Sequence, residues 1–344
     1  MSDIGSKLLW TPSPERIGQA RMHDYMQWLQ QNKGLQFDGY NALWQWSVDQ
    51  LEDFWETIWQ YFEVRSSTPY TRVLSTHAMP GARWFEGSQL NLAEQLFRFH
   101  QDEAGSQRAA ILFQSELDIA AGKTHALSWA EMRRQVASVA HALRRMGVQR
   151  GDRVAAYLPN IPETVIAFYA CASIGAIWSS CSPDMGSPSV LDRFAQINPK
   201  VLIAVDGYHY GGKAFDRMSV VESLQQSLPS VEQVVLLPVL RQELPAGNFT
   251  AWSSLLQYQV EIQFEALPFD HPLWIVYSSG TTGMPKPIVH SQGGTLLETL
   301  KGHGLQLDLG ERDSFHWFST TGWIMWNSQV TGLLLGSTIC LYDG

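Results

Sequence analysis

Charge is sparse in this sequence, and what there is leans acidic. Only 17% of the 344 residues are Asp, Glu, Lys or Arg, and 33 acidic against 24 basic side chains leave a net charge of −9. Clustered cations are what a nonspecific grip on nucleic acid or on an anionic membrane requires, so neither partner is expected. Any anionic ligand must be held by local geometry. Cysteine is scarcer still: Cys171, Cys181 and Cys340 are odd in number, far apart and without C-x-x-C spacing, which speaks against a disulfide framework and a zinc site. A reducing cytoplasm is the expected compartment. No basic region leads into an apolar run with a small-residue cleavage site near the start, where Lys7, Glu15, Arg16, Arg21 and Asp24 scatter charge, so no export signal is read. No internal repeat and no low-complexity segment is found.

One long charge-free run exists, at 164–183, and its length is that of a membrane span. Gly175 interrupts it and Ser173, Ser179, Ser180 and Ser182 dilute it, so a buried helix turning into a buried strand is expected and no membrane span. With 45% hydrophobic residues, the chain is long enough for a globular protein of about two domains, at roughly 150 residues each.

Residues 1–37 are polar and mixed, an extended or helical lead-in. From 40 to 62, Leu43, Trp44, Trp46, Val48, Leu51, Phe54, Trp55, Ile58, Trp59 and Phe62 recur at three- and four-residue steps, which predicts an amphipathic helix with Ser47 and Gln50 as a capping box. Core packing explains that aromatic face without a cofactor. After Asn91 helical periods alternate with short apolar runs. Ser128, with Glu131 three residues on, caps a helix whose inner face is Met132, Val136, Val139, Leu143 and Met146, and Gly147 ends it. Strands are predicted at 154–158, 176–180, 201–205, 234–237, 273–277 and 338–342, with helices at 163–174, 187–196 and 214–226. Unbroken apolar strands alternating with helices imply a mostly parallel sheet covered on both faces, with ligands beyond the carboxyl ends of the strands.

The stretch that carries chemistry runs from Tyr277 through Ser278, Ser279, Gly280, Thr281, Thr282, Gly283, Met284 and Pro285 to Lys286, directly after an apolar run. Two glycines free the backbone to curl, hydroxyls and successive N–H groups can surround phosphate oxygens, and Lys286 adds a cation. It is not the P-loop of NTPases, because Pro285 and Pro287 flank the lysine where that motif needs Gly before it and Ser or Thr after it.

Here the chain resembles the acyl-adenylate-forming enzymes, which include acetyl-coenzyme A synthetase, firefly luciferase and the adenylation domains of peptide synthetases. Their Ser-Gly-Thr-Thr-Gly-x-Pro-Lys signature stands at 279–286, a second segment similar to the family's at 151–160 continues around Gly175, and an aromatic segment, 316–327, falls where the family places its acyl pocket. The segments at 43–62 and 84–94 look like the small domain that precedes the core in the acetyl-coenzyme A synthetase branch. Within that branch, residues 9–13 and 320–327 are most similar to the acetoacetate-activating enzymes, since acetate enzymes usually carry smaller residues after Gly-Trp. Acetyl- or propionyl-coenzyme A synthesis is the alternative.

The resemblance implies an α/β fold, with helices packed on the mostly parallel sheets of an adenylate-forming large domain, incomplete at the carboxy end, and a small, mainly helical amino-terminal domain. The domains expected are a lead-in at 1–37, an acetyl-coenzyme A synthetase-type amino-terminal domain at 38–97 and an AMP-binding domain at 98–344. It also implies an AMP-forming acid–thiol ligase of short-chain acid and lipid metabolism: the carboxylate of acetoacetate attacks the α-phosphate of ATP, and the thiol of coenzyme A then displaces AMP. Ser278, Ser279, Gly280, Thr281, Thr282, Gly283 and Lys286 would hold ATP, with Thr281 and Lys286 positioning the phosphates and magnesium arriving with ATP and Thr281.

Trp323 would wall the acyl pocket, Met325 and Trp326 would fill space near it, and Asn327 could hydrogen-bond the 3-keto oxygen; the alternative has Trp326 in the core and Asn327 as a helix cap. His290 could touch the phosphates or be a satisfied core residue. Gly186 and Lys213 fall where the branch holds coenzyme A. The family's ribose-binding aspartate, magnesium-binding glutamate, hinge and carboxy-terminal lysine are not found before Gly344, so a truncated chain, inactive alone, is expected. A noncatalytic nucleotide-binding fragment and a carrier-protein-loading enzyme remain as other classes.

Overall fold

The computed structural model describes residues 9–278 and 283–344. Its centre is a seven-stranded sheet in the spatial order Thr250–Ala251, Gln233–Leu237, Val201–Val205, Arg153–Tyr157, Ile177–Cys181, Pro272–Tyr277 and Pro287–Ser291. Every neighbouring pair is parallel except the last, where Pro287–Ser291 turns back antiparallel on Pro272–Tyr277.

The two-residue period of a strand explains why these runs are apolar throughout. Val154, Ala156, Val201, Ile203 and Val205 face one core with Val136, Val139, Val165 and Phe168. Ala155, Tyr157, Leu202 and Ala204 face a second with Val190, Phe194, Val221 and Leu224. Helices Trp129–Arg145 and Pro162–Ser173 cover the first face, and Ser187–Phe194 and Met218–Ser227 the second. The charge-free run at 164–183 is thus a buried helix followed by the buried strand Ile177–Cys181. Among the described residues no helix is long and apolar enough to cross a membrane.

A second sheet of four strands, Ser314–Phe315, Thr338–Asp343, Ala109–Ser115 and His125–Ser128, lies beside this one. Ile339 pairs with Ile111 and Leu341 with Phe113 in parallel register.

Two expectations need correction. The helix predicted over 40–62 is two helices, Tyr40–Asp49 and Leu51–Tyr61, because Gln50 leaves helical geometry at φ −121°, ψ 63°. Ser47 is no cap: its hydroxyl bonds back to the Trp44 carbonyl at 2.7 Å inside the first helix. The bend sends Trp46 against Phe37 and Phe54, and brings Trp59 flat onto Phe85, with ring centroids 4.6 Å apart. The helix predicted over 214–226 begins only at Met218. Its expected first turn is one arm of an antiparallel hairpin, Gly207–Tyr210 with Lys213–Asp216, closed by Gly211 and Gly212 at φ +58° and +73°. Two consecutive left-handed residues make the tight hairpin turn that two glycines favour, and Tyr208 stacks on Phe215 at 5.2 Å across it.

Gly293, at the start of helix Gln292–Thr299, has the Phe269 ring pressed onto its Cα face, and Phe269 in turn packs on Phe85 and Trp59. A methyl group there must displace that aromatic cluster. Gly293→Ala is therefore expected to cost about 1–3 kcal/mol by urea unfolding, whereas Gly18→Ala, with nothing within 4 Å, should stay within about 0.5 kcal/mol.

Candidate active site

The parallel strands end on one edge of the sheet, and the segments singled out in the sequence gather there. Strand Pro272–Tyr277 runs into the loop and Pro287–Ser291 leaves it. The stem is closed by Ser278, whose N–H donates to the Lys286 carbonyl and whose Oγ accepts from the Lys286 N–H, both at 3.1 Å. Ser279, Gly280, Thr281 and Thr282 lie outside the described residues. Gly283 is exposed at φ +150° with open space around its Cα, so conformation rather than crowding calls for glycine. Pro285 is buried and accepts from Gln196 Nε2 at 3.0 Å, while the Lys286 side chain is exposed. Pro287 opens an edge strand, where a residue without an N–H is tolerated.

The aromatic segment crosses the same edge. Ser180 Oγ donates to the Thr321 carbonyl at 2.7 Å, and Thr321 Oγ1 donates to the Leu158 carbonyl at 2.6 Å. Gly322 lets the chain pass Met185 and Ser182, whose nearest atoms a Cβ would meet at 3.3 and 3.5 Å. Trp323 stands at the cap of helix Ile324–Thr331 and is 54% exposed. Trp326 is fully buried, stacks on Trp178 at 6.4 Å and donates from Nε1 to Asn160 Oδ1 at 3.0 Å. Met325 is half-buried, and Asn327, 2% exposed, lies one turn inside the helix, not at its cap.

Beside this helix opens a cleft of about 950 Å³. Trp274, Val289 and His290 of the last two strands form one wall, and helix Gln292–Thr299 and the π-helical turn Leu300–Gln306 another. Ile324 and Ser328, one turn apart, close it. None of the four residues expected at the acyl pocket, Trp323, Met325, Trp326 and Asn327, lines it. Trp274 Nε1 donates to His290 Nδ1 at 2.8 Å, so the neutral ring carries its proton on Nε2. Burial holds His290 and His303 below the usual histidine range, which keeps both neutral at pH 7. Sequence reasoning missed Ile324, Ser328 and His303. The apolar period marks residues for a core and gives no sign of one helical face that borders a cavity.

The segments named for coenzyme A lie at the same edge but on other strands. Gly186 is exposed at the start of helix Ser187–Phe194, beyond Ile177–Cys181, and Lys213 is exposed on the hairpin beyond Val201–Val205. Arg217 joins the two regions, donating from Nε to the Pro183 carbonyl at 2.7 Å. The hairpin is also clamped. Glu116, at the end of strand Ala109–Ser115, accepts from the N–H groups of Gly211 and Gly212 at 2.6 and 2.9 Å. Those bonds, Gly212's first, hold its carboxyl below the usual glutamate range.

Fold and sequence together place the chain in a class of α/β enzymes: it belongs to the AMP-binding enzyme family, whose model matches residues 99–344. A second model, the acetyl-coenzyme A synthetase N-terminus, matches residues 40–96. The chain is similar to the acetoacetyl-coenzyme A synthetase of Rhizobium meliloti, 41% identical over 98% of this chain and 51% of that protein. It is also similar to a malonamoyl-CoA synthetase of Penicillium aethiopicum, 34% identical over 99% of this chain and 48% of that one. The solved structure of an acetoacetyl-CoA synthetase from Streptomyces lividans matches with TM-score 0.93 and 49% identity, over 98% of this chain and 51% of that chain. The chain spans about half the length of the curated relatives it matches.

The lowered pKa of Glu116 gives the clamp a sign. Its contribution is complete above the ordinary glutamate value of about 4.3 and is lost as pH falls through the lower folded value. The Gly211 and Gly212 amide proton shifts should hold steady down to about pH 5 and move together below it, and Glu116→Gln should abolish that titration. Unaltered titration in the variant would show that Glu116 does not hold the turn.

Proposed function

We propose that this chain forms the ATP- and acyl-binding part of an AMP-forming acetoacetate–coenzyme A ligase. The observation that carries the reading is the stem formed by Ser278 and Lys286, which sets the hydroxyl- and glycine-rich loop at the carboxyl edge of the sheet, where the aromatic segment also crosses. Backbone N–H groups and hydroxyls of 278–283 would receive the phosphates of ATP, and Lys286 would add a positioning charge. Among the described residues no three acidic, histidine or cysteine side chains cluster to hold a metal. A magnesium ion would arrive on the triphosphate, beside the Thr281 hydroxyl, and would supply charge neutralisation there.

The acyl group would occupy the cleft, against Ile324. Acetoacetyl and malonamoyl, the groups in the relatives' names, share a carbonyl at the third carbon, so the substrate class proposed is a short acid with that carbonyl. Chemistry on this chain would be attack of the substrate carboxylate on the α-phosphate with release of pyrophosphate. Coenzyme A would approach along the edge that carries Gly186 and Lys213. Three unpaired cysteines, two of them buried, suit a reducing cytoplasm.

Calorimetric titration of the chain with ATP and magnesium tests the nucleotide site: binding is expected, and Lys286→Ala should weaken it about tenfold, the worth of one charge-assisted contact. Pyrophosphate release with acetoacetate in preference to acetate would support the ligase. ATP binding without pyrophosphate release would favour a noncatalytic nucleotide-binding role. An unaltered chain that binds no ATP would sink both.

A further inference from the structure

The cleft has a polar end that no family segment marks. Ser328 lines it one turn beyond Ile324, and its Oγ lies 3.2 Å from Nε2 of His303. His303 is 8% exposed and stands edge-on to Phe315, with ring centroids 5.2 Å apart. The wide π-helical turn Leu300–Gln306 holds it there, and such turns inside helices recur at functional sites. Gly304 fits that turn because a Cβ would meet the Phe62 ring at 2.7 Å.

The buried Nδ1 of His303 has no hydrogen-bond partner among the described residues. The ring is therefore not locked in one tautomer from that side. A serine hydroxyl has one proton to give. With the ring proton on Nδ1, Ser328 gives its own to Nε2; with the ring proton on Nε2, His303 donates to Ser328, and Ser328 can donate into the cleft. A carbonyl oxygen in the cleft selects the second arrangement.

We propose that Ser328, oriented by His303, reads the carbonyl at the third carbon of the acid in the cleft. This rests on the reading of the cleft as the acyl pocket. Ser328 is the specificity residue and His303 its positioning partner. Asn327, on the same helix, does not border the cleft.

The test is titration of the 344-residue chain, labelled with nitrogen-15 in histidine, with acetoacetate and with butyrate, which has the same length without the carbonyl. His303→Gln identifies the His303 ring signals, and His290 on the opposite wall reports occupancy by either acid. Acetoacetate is expected to move His303 to the Nε2–H pattern, and butyrate to leave it unchanged. Ser328→Ala should weaken acetoacetate about tenfold, one unmade hydrogen bond, leave butyrate within about twofold, and be rescued by Ser328→Thr. Both acids moving His290 while Ser328→Ala weakens them equally, or neither, would overturn the assignment of Ser328 and leave the pocket standing. Silence at His290 and His303 with both acids would overturn the pocket and the assignment together.

Discussion

Asn160 is the knot on which the edge of this molecule depends. It follows the central strand Arg153–Tyr157, is buried, accepts the indole N–H of Trp326 and donates to the Tyr342 carbonyl at 3.3 Å. One amide thus joins the seven-stranded sheet, the helix after the aromatic segment and the last strand of the smaller sheet. Parallel strands end in carbonyls that face no partner strand, and buried carbonyls need donors. Thr321 supplies one to Leu158, and Tyr157 and Arg217 supply theirs to Pro183. The aromatic segment is held over the edge because it satisfies the edge.

The alternation of apolar runs and helical periods was enough to read the α/β architecture, since a sheet covered on both faces leaves no polar side for the pattern to hide in. The failures come from places where local geometry outweighs periodicity. The 40–62 pattern keeps its three- and four-residue steps across Gln50, so nothing in the spacing betrays the bend that lets Trp46 and Trp59 pack in different directions. Gly211 and Gly212 could have been read as a hairpin turn, flanked as they are by Tyr208 and Phe215. At the site, the sequence marked the apolar run that leads into the loop, and that run is the strand Pro272–Tyr277. The cleft was not legible, because its walls come from a strand pair, two helical turns and a third helix distant in sequence. Trp326 and Asn327 drew notice by type, and burial shows what type alone does not: Trp326 spends its one donor on Asn160.

An acidic chain proposed to hold anionic ligands poses an electrostatic question that the structure answers with its own carboxylates. Asp206 is fully buried, and it takes the N–H groups of Val239, Leu240 and Arg241 at 2.6 to 3.0 Å together with the Arg241 side chain. Glu116 is held by two glycine N–H groups. Oriented backbone dipoles hold the carboxylate in both cases, joined at Asp206 by the Arg241 guanidinium, so the chain's overall net charge has little to do with it. The phosphate site proposed at 278–286 would use the same principle, with Lys286 adding a cation.

One topological step builds both halves of the proposed site. Up to Tyr277 the sheet is parallel, and each strand leaves its carboxyl edge by a crossover; after Tyr277 the chain doubles straight back as Pro287–Ser291. Doubling back forces a loop onto the carboxyl edge. It also makes the returning strand the outer member of the sheet among the described residues, with Ile288 and Val289 exposed. Trp274 and His290 are directly opposite in this antiparallel pair, and their side chains are hydrogen-bonded. The wall of the cleft and the stem of the loop are therefore parts of one two-stranded unit. A shift of the returning strand by a single residue would move His290 to the other face and displace Lys286 from Ser278 at the same stroke. Register in this hairpin is the condition that would hold an acid in the cleft and a phosphate at the loop, as proposed, in the fixed relation that attack of one on the other requires.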